Sequence, residues 1–261
     1  MSLMDKIVVY TAVTGSYDDL QPVCCVESCF DYICFTDYDF SGKVPSPWKH
    51  IRLPKSSFDN KDIARYCKLN PHKLLPMYAS SIWIDGNISI KCEIANLAKD
   101  ILASSDVASY QHWWRDATEQ EFYECARYGF DFAWQLKSQL QRYYKEGYRS
   151  VDFFENNVIF RNHMKQSLIL MHDIWWSEYL QGGKRDQYSF TYAAYKAGVH
   201  IRSLGMHDPR INKIYFDYFQ HAKKRPFKQT IIKIINRIYI FATQWRVSEP
   251  KRENALAKKS K

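Results

Sequence analysis

A carboxylate, a glycine and a carboxamide stand in a row in the stretch SSIWIDGNISI, residues 80–90. The run before Asp85 is apolar and β-branched, and so is the run after Asn87. A strand that ends on Asp85 at the carboxyl edge of a parallel sheet would aim it into the crevice where such sheets take ligands. Gly86 permits close approach of a ligand or an unusual turn. Asn87 adds a second oxygen without a charge, and two such oxygens can share a hard divalent cation that bridges a diphosphate. The same residues also fit a hairpin, because Asp-Gly between apolar runs is a common turn signal. Spacing alone leaves both readings open. Arg65 and Lys68 lie upstream, about one helical turn apart. Arg neutralises phosphate bidentately and Lys as a point charge, although a run of cations is also what a solvated helix face carries.

The elements around these residues alternate. KIVVYTAVTG (6–15) predicts a buried first strand ending at Gly15. DYICFTD (31–37) and WKHIRLP (48–54) predict two more strands, and residues 60–76 a helix punctuated by Pro71 and Pro76. Helices are expected over 92–104, over most of 117–148 with a stop at Gly147, after residue 163 up to Gly182-Gly183, and over 185–198. Strands are expected at 106–112, 156–163 and 199–205. Strands alternating with helices predict an α/β domain with a mostly parallel sheet. No GxGxxG follows the first strand and no GxxxxGK[ST] occurs, so dinucleotide and P-loop readings lose their support. A GxSxG elbow, an HExxH and paired CxxC motifs are missing too.

Composition narrows the setting. Hydrophobic residues are 46% of the 261, too many for a disordered chain. The net charge of +9 is uneven: twelve of the 37 basic residues and two of the 28 acidic ones lie from Lys223 onward. The first 222 residues are thus close to neutral, and a nucleic-acid reading finds basic residues only in the tail. The tail interleaves Lys and Arg with Ile231, Ile232, Ile234, Ile235, Ile238 and Phe241. It reads as a basic amphipathic helix suited to an anionic membrane surface, or to packing on the domain or a partner. Residues 1–222 are expected to form the domain and 223–261 this helix with a disordered end. Without a signal-peptide pattern or an apolar run of about 20 residues, the expected location is cytoplasmic, peripheral on the inner face of the membrane.

SIWIDGNI resembles the strand-plus-DxD element of GT-A glycosyltransferases. Taken with YTAVTGSYDDL, CFTD, ARYCKLNPHKLLPMYA, HWWRDATEQEFYECA, ENNVIFRNH and RDQYSF, it resembles one glycosyltransferase-like family known from plant Golgi wall and mucilage proteins and from bacterial polysaccharide clusters. The pieces run in order over residues 7 to about 205. The resemblance implies a GT-A-like, Rossmann-like mixed sheet flanked by helices. It implies donor contacts from Thr11, Thr14, Gly15, Tyr17, Asp37, Arg65, Lys68, Asp85, Gly86 and Asn87. It implies acceptor or sugar contacts from His112, Arg115, Glu124 (with Glu121 as the alternative), Asn156, Asn157 and Gln187. Asp186 would be the base of an inverting reaction, or a ligand of sugar hydroxyls in a retaining one. Asp85, Asn87 and His207 (or its neighbour Asp208) would hold Mn²⁺ or Mg²⁺. Many GT-A enzymes carry a second Asp where this chain has Asn87, and a neutral carbonyl weakens a metal site.

The expectation is therefore transfer of a sugar from a nucleotide-sugar to a glycan or lipid-linked oligosaccharide in bacterial surface polysaccharide synthesis, capsule or lipopolysaccharide. The alternative is a GT-A-shaped binding module without catalysis.

Overall fold

Strand residues alternate between the two faces of a sheet, so a strand buried on both faces must be apolar throughout. The first strand is of this kind. A computed structural model describes residues 6–15, 20–150, 152–206, 208–219 and 227–250. In it, β1 (Ile7–Val13) sends Val8, Tyr10 and Ala12 to one core and Val9 and Val13 to another. The remaining elements in chain order are β2 (Phe30–Thr36), β3 (Lys49–Arg52), α1 (Asn60–Leu69), α2 (Pro71–Leu74), β4 (Ser80–Ile84), β5 (Ile88–Ile90), α3 (Ala95–Ser104), β6 (Val107–Gln111), α4 (Thr118–Tyr128), α5 (Ala133–Lys145), β7 (Phe154–Arg161), α6 (Gln166–Gln181), α7 (Phe190–Ala197), β8 (Ile201–Met206), β9 (Phe216–Tyr218) and α8 (Phe227–Thr243).

Seven strands form one mixed sheet in the order β3-β2-β1-β4-β7-β6-β8. Only β7 runs against the others in that sheet, antiparallel to both β4 and β6. Its amino end therefore lies at the same edge as the carboxyl ends of the other six strands. One face of the sheet is covered by Cys67 and Leu69 of α1, by Leu168, Met171 and Trp175 of α6, and by Phe190 of α7. The other face is covered by Ala98 and Ile101 of α3. The expected α/β, mostly parallel sheet is what the chain forms.

Asp85-Gly86-Asn87 does not close a hairpin. β4 pairs with β1 and β7, whereas β5 pairs with β9 in a separate two-stranded sheet. The turn, closed by the Ile88 N–H on the Asp85 carbonyl at 2.9 Å, steers the chain out of the main sheet. The mostly helical stretch expected over 117–148 forms two helices. Gly129 ends α4 with φ 76° and allows α8 to come close, since a Cβ there would lie 2.4 Å from the Gln229 carbonyl oxygen. The expected boundary near residue 222 lies outside the described residues. Beyond it, α8 packs against α4 and α5.

A buried cation fastens the inner end of α1. Arg161 on β7, fully buried, donates to the Lys68 carbonyl at 2.8 Å and to the Tyr10 hydroxyl. Three histidines surround it. His72 stacks on His172 with ring centroids 5.4 Å apart, and His163 lies 3.2 Å from the Leu75 carbonyl oxygen. Burial, reinforced by the Arg161 charge, pushes the His172 and His163 pKa values down, His163 to about 4; burial lowers His72 as well. The unfolded chain therefore binds more protons once the pH falls below about 6.5. Stability present above that pH should fall continuously towards pH 4, with each histidine contributing up to about 1.4 kcal/mol per pH unit. Urea midpoints measured across this range test it, and a flat profile would contradict it.

Candidate functional site

The carboxyl ends of the strands bring the candidate residues to one edge. Asp85 follows β4, and its N–H donates to the Asn157 carbonyl on β7 at 2.9 Å. Beneath it, α1 presents Arg65 and Lys68 one turn apart. The Lys68 ammonium is only 2% exposed and lies between two carboxylates, 3.1 Å from Asp85 Oδ1 and 2.7 Å from Asp186 Oδ2. Arg65 Nε meets Asp186 Oδ1 at 3.0 Å. The Trp83 indole N–H adds a second donor to Asp85 Oδ1 at 2.7 Å. Asp85 is thus held through one oxygen. Its Oδ2 has no partner among the described residues and the side chain is 29% exposed, so Oδ2 is the oxygen a ligand from solvent can meet.

This arrangement changes the role of Asp186. Burial would raise its pKa, but Arg65, Lys68 and Arg185 together outweigh that and hold the carboxyl far below the usual carboxylate range. A carboxylate clamped by two cations is a poor proton acceptor. In this geometry Asp186, expected from sequence as a base or a ligand of sugar hydroxyls, is the counter-ion of Arg65 and Lys68.

A carboxyl at this edge with a raised proton affinity is one the sequence did not flag. Glu155, at the start of β7, is pushed up to about 7 by burial, against the opposing pull of Arg210 and with the Asp85 and Glu121 charges adding to the rise. Arg210 Nε lies 3.4 Å from its Oε1, and His112 Nε2 lies 3.9 Å from the same oxygen. Gln187 holds the backbone here, its amide N–H groups donating to the Phe154 and Glu155 carbonyls at 3.3 and 3.2 Å. The next residue, Asn156, is fully buried with φ 61°, a conformation that strains a non-glycine residue. Neither polar atom of its amide has a partner among the described residues. A buried amide without a partner makes Asn156 a candidate contact for a ligand. A Glu before Asn-Asn at the head of an apolar strand carries no spacing signal. Only burial under residues distant in the sequence singles it out.

His112 Nδ1 accepts from the backbone N–H groups of Trp114 and Arg115 at 3.0 and 2.9 Å, and its Nε2 lies 3.1 Å from the Arg115 guanidinium. Arg115 reaches Glu121 at 2.6 Å, and Arg185 reaches the same carboxylate at 3.2 Å. Glu121, not Glu124, therefore joins the site. Glu124 pairs with Arg127 away from it.

The other expected residues are placed as follows. Thr11 is fully buried inside β1, its hydroxyl without a partner among the described residues. Thr14 donates to the Asn60 carbonyl at 2.6 Å, and the Gly15 N–H donates to Asp37 Oδ1 at 2.9 Å, so these residues fix the loop after β1. Gly86 accepts from the Gln21 N–H at 3.3 Å. Asn87 turns its amide N–H to the Phe219 carbonyl at 2.7 Å, which ties the turn to β9. Tyr17 and His207 lie outside the described residues, as does the side chain of Asp208. Among the described residues no group of three or more His, Cys, Asp or Glu is arranged to hold a metal ion. Asp85 Oδ2 can supply one ligand to a cation completed by phosphate oxygens and water, and among the described residues no group of carboxylates joins it.

Residues 1–221 match the TOD1/MUCI70 glycosyltransferase-like domain. The chain belongs to that family. No curated protein sequence matches this TOD1/MUCI70-family chain. Solved structures similar to it in fold include the WbbM bifunctional glycosyltransferase (11% identity, 90% of this chain and 44% of that one, TM-score 0.46). They include mouse xyloside xylosyltransferase 1 (10% identity, 76% and 84%, TM-score 0.44). They also include the galactosyltransferase LgtC with donor and acceptor sugar analogs (10% identity, 95% and 99%, TM-score 0.44). The family member described here thus spans less than half the length of WbbM. Its sheet and helices form a mixed α/β fold with a mostly parallel seven-stranded sheet.

Replacing Lys68 by Met would leave the buried Asp186 short of a counter-charge and Asp85 without its partner. Loss of one member of a buried ion pair typically costs about 3–5 kcal/mol. Chemical denaturation should therefore find Lys68→Met much less stable than Asp85→Asn, which removes a partly exposed charge.

Proposed function

We propose that this protein transfers a sugar from a nucleotide-sugar donor to a hydroxyl of a glycan or lipid-linked oligosaccharide, in the synthesis of a bacterial surface polysaccharide. The observation that carries the reading is the convergence of Asp85, Arg65 and Glu155 at one sheet edge of a glycosyltransferase-like domain. Asp85 offers one oxygen to solvent there, and Glu155 titrates near neutrality.

The donor diphosphate lies against Asp85 and Arg65. A divalent cation, when bound at Asp85 Oδ2, supplies positive charge to the diphosphate. Arg65 adds a guanidinium beside the same group, and Asp186 keeps that guanidinium oriented. Lys68 is too deep to touch phosphate and fixes the Asp85 carboxylate from below. Glu155 takes the proton of the acceptor hydroxyl as its oxygen bonds to the anomeric carbon. The bond from that carbon to the diphosphate breaks, and the nucleoside diphosphate leaves with the electron pair. With a pKa of about 7, Glu155 is sufficiently basic to accept this proton and sufficiently ionised to be ready for it. Asn156 offers its buried amide to a sugar hydroxyl.

The second reading, a nucleotide or glycan binder without catalysis, is favoured by the uncharged carboxamide of Asn87 two residues after Asp85, a weaker cation ligand than a carboxylate. Two measurements separate the readings. Titration with UDP, GDP, CDP and ADP by calorimetry, with and without Mn²⁺, should find one diphosphate whose affinity rises with the metal and drops at least about tenfold in Asp85→Ala. Glu155→Gln should keep that affinity while losing transfer about 100-fold or more, and wild-type turnover should rise with pH through about 7. Metal-dependent binding without turnover supports the binding module. No nucleotide binding at all sinks both the donor site and the transferase.

A further inference from the structure

Helix α8 has two apolar faces, and only one is covered. On the inner face Ile232 is buried, and Asn236 sits fully buried among backbone groups. Asn236 donates to the Ala126 and Asp131 carbonyls, each at 2.8 Å, and accepts from the Ala133 N–H at 2.9 Å. Trp245, just beyond the helix, is buried against Tyr123. Three hydrogen bonds from one buried carboxamide fix the rotation of the helix about its axis. That rotation leaves Ile231, Ile234, Ile235, Ile238 and Phe241 outward, with Ile238 67% and Phe241 87% exposed. Their spacing of three or four residues makes them one stripe. Trp134 of α5, also exposed, extends it beside Tyr239. A contiguous apolar stripe of this size marks a contact surface.

The charges around the stripe select the partner. Between residues 227 and 248 the chain has Lys228, Lys233, Arg237 and Arg246 and no acidic residue. A second copy docked stripe to stripe would set cations against cations. An anionic bilayer satisfies both features, with acyl chains for the isoleucines and Phe241 and phosphates for the cations. The 17-residue helix is about 25 Å long, shorter than a bilayer core, and no helix among the described residues is long and apolar enough to cross one.

We propose that α8 lies in the plane of an anionic membrane surface, with the stripe Ile231–Phe241 inserted and its clamped inner face carrying the domain. The clamp ties the bilayer to the site. The α4–α5 loop that Asn236 holds also carries Asp131, which accepts from the Tyr188 hydroxyl at 3.2 Å and the Lys184 N–H at 3.3 Å, on either side of Asp186. Donor and acceptor geometry is thereby referred to the membrane plane, which suits a lipid-linked acceptor. The anchor itself does not depend on the transfer reaction.

The test is co-sedimentation of the full chain with phosphatidylcholine vesicles, with and without phosphatidylglycerol. Binding should require the anionic lipid and weaken as salt rises. Ile234→Glu/Ile238→Glu should lose it by about 20-fold or more. Lys228→Gln/Arg237→Gln should lower it by about fivefold per charge. Both pairs are exposed, so circular dichroism and the unfolding midpoint should not change. The proposal is overturned by absence of binding to anionic vesicles, or by binding that the isoleucine variant retains. It is equally overturned if wild type is a dimer in light scattering that the isoleucine variant dissolves, with no vesicle affinity in either.

Discussion

A single buried ammonium sets the terms for the rest of the site. Lys68 is out of reach of water and lies between Asp85 and Asp186. An unpaired charge in such a position is costly, so the carboxylates beside it must stay in place. This holds Asp85 rigid through one oxygen while the other faces outward. It also removes Asp186 from proton chemistry. The backbone of Lys68 is secured in turn by Arg161, whose own burial is shared with Tyr10. Site and core are therefore not separable: the side of the sheet that packs α1 and α6 also fixes the cation on which the edge depends.

The second constraint is the reversed strand. Because β7 runs antiparallel between β4 and β6, its first residues arrive at the edge where the other strands end. Glu155 and Asn156 are delivered there with almost no room. Gln187 ties their backbone, Asn156 is forced to positive φ, and Glu155 is desolvated between Arg210 and His112. The desolvation is a local cost carried by a well-packed sheet, and it leaves a carboxyl with raised proton affinity beside an amide that has no partner among the described residues.

Helix α8 belongs to this architecture rather than trailing from it. A buried Asn that bonds three backbone groups is a specific lock, where an apolar residue would only have been a greasy contact. The lock determines which of the two apolar faces looks outward, and it connects that face through the α4–α5 loop to the residues flanking Asp186.

The sequence alone determined the order of strands and helices, because runs buried on both sides must be apolar and amphipathic helices must repeat near 3.6 residues. It determined that Asp85 ends a strand, that Arg65 and Lys68 share a helix face, and that the tail is basic and amphipathic. The family was legible in the order of the short motifs. Tertiary structure alone decided whether Asp85-Gly86-Asn87 was a hairpin, since that depended on β9 being there to pair with β5. It decided that Glu121 and not Glu124 enters the site, which is a matter of helix rotation. It set Asp186 among cations and Glu155 under burial, because a carboxyl's proton affinity follows the charges and the burial around it, and these come from α1, α4 and the turn bearing Arg210. Composition and spacing record which groups a chain owns. How strongly each holds a proton depends on neighbours that only folding supplies.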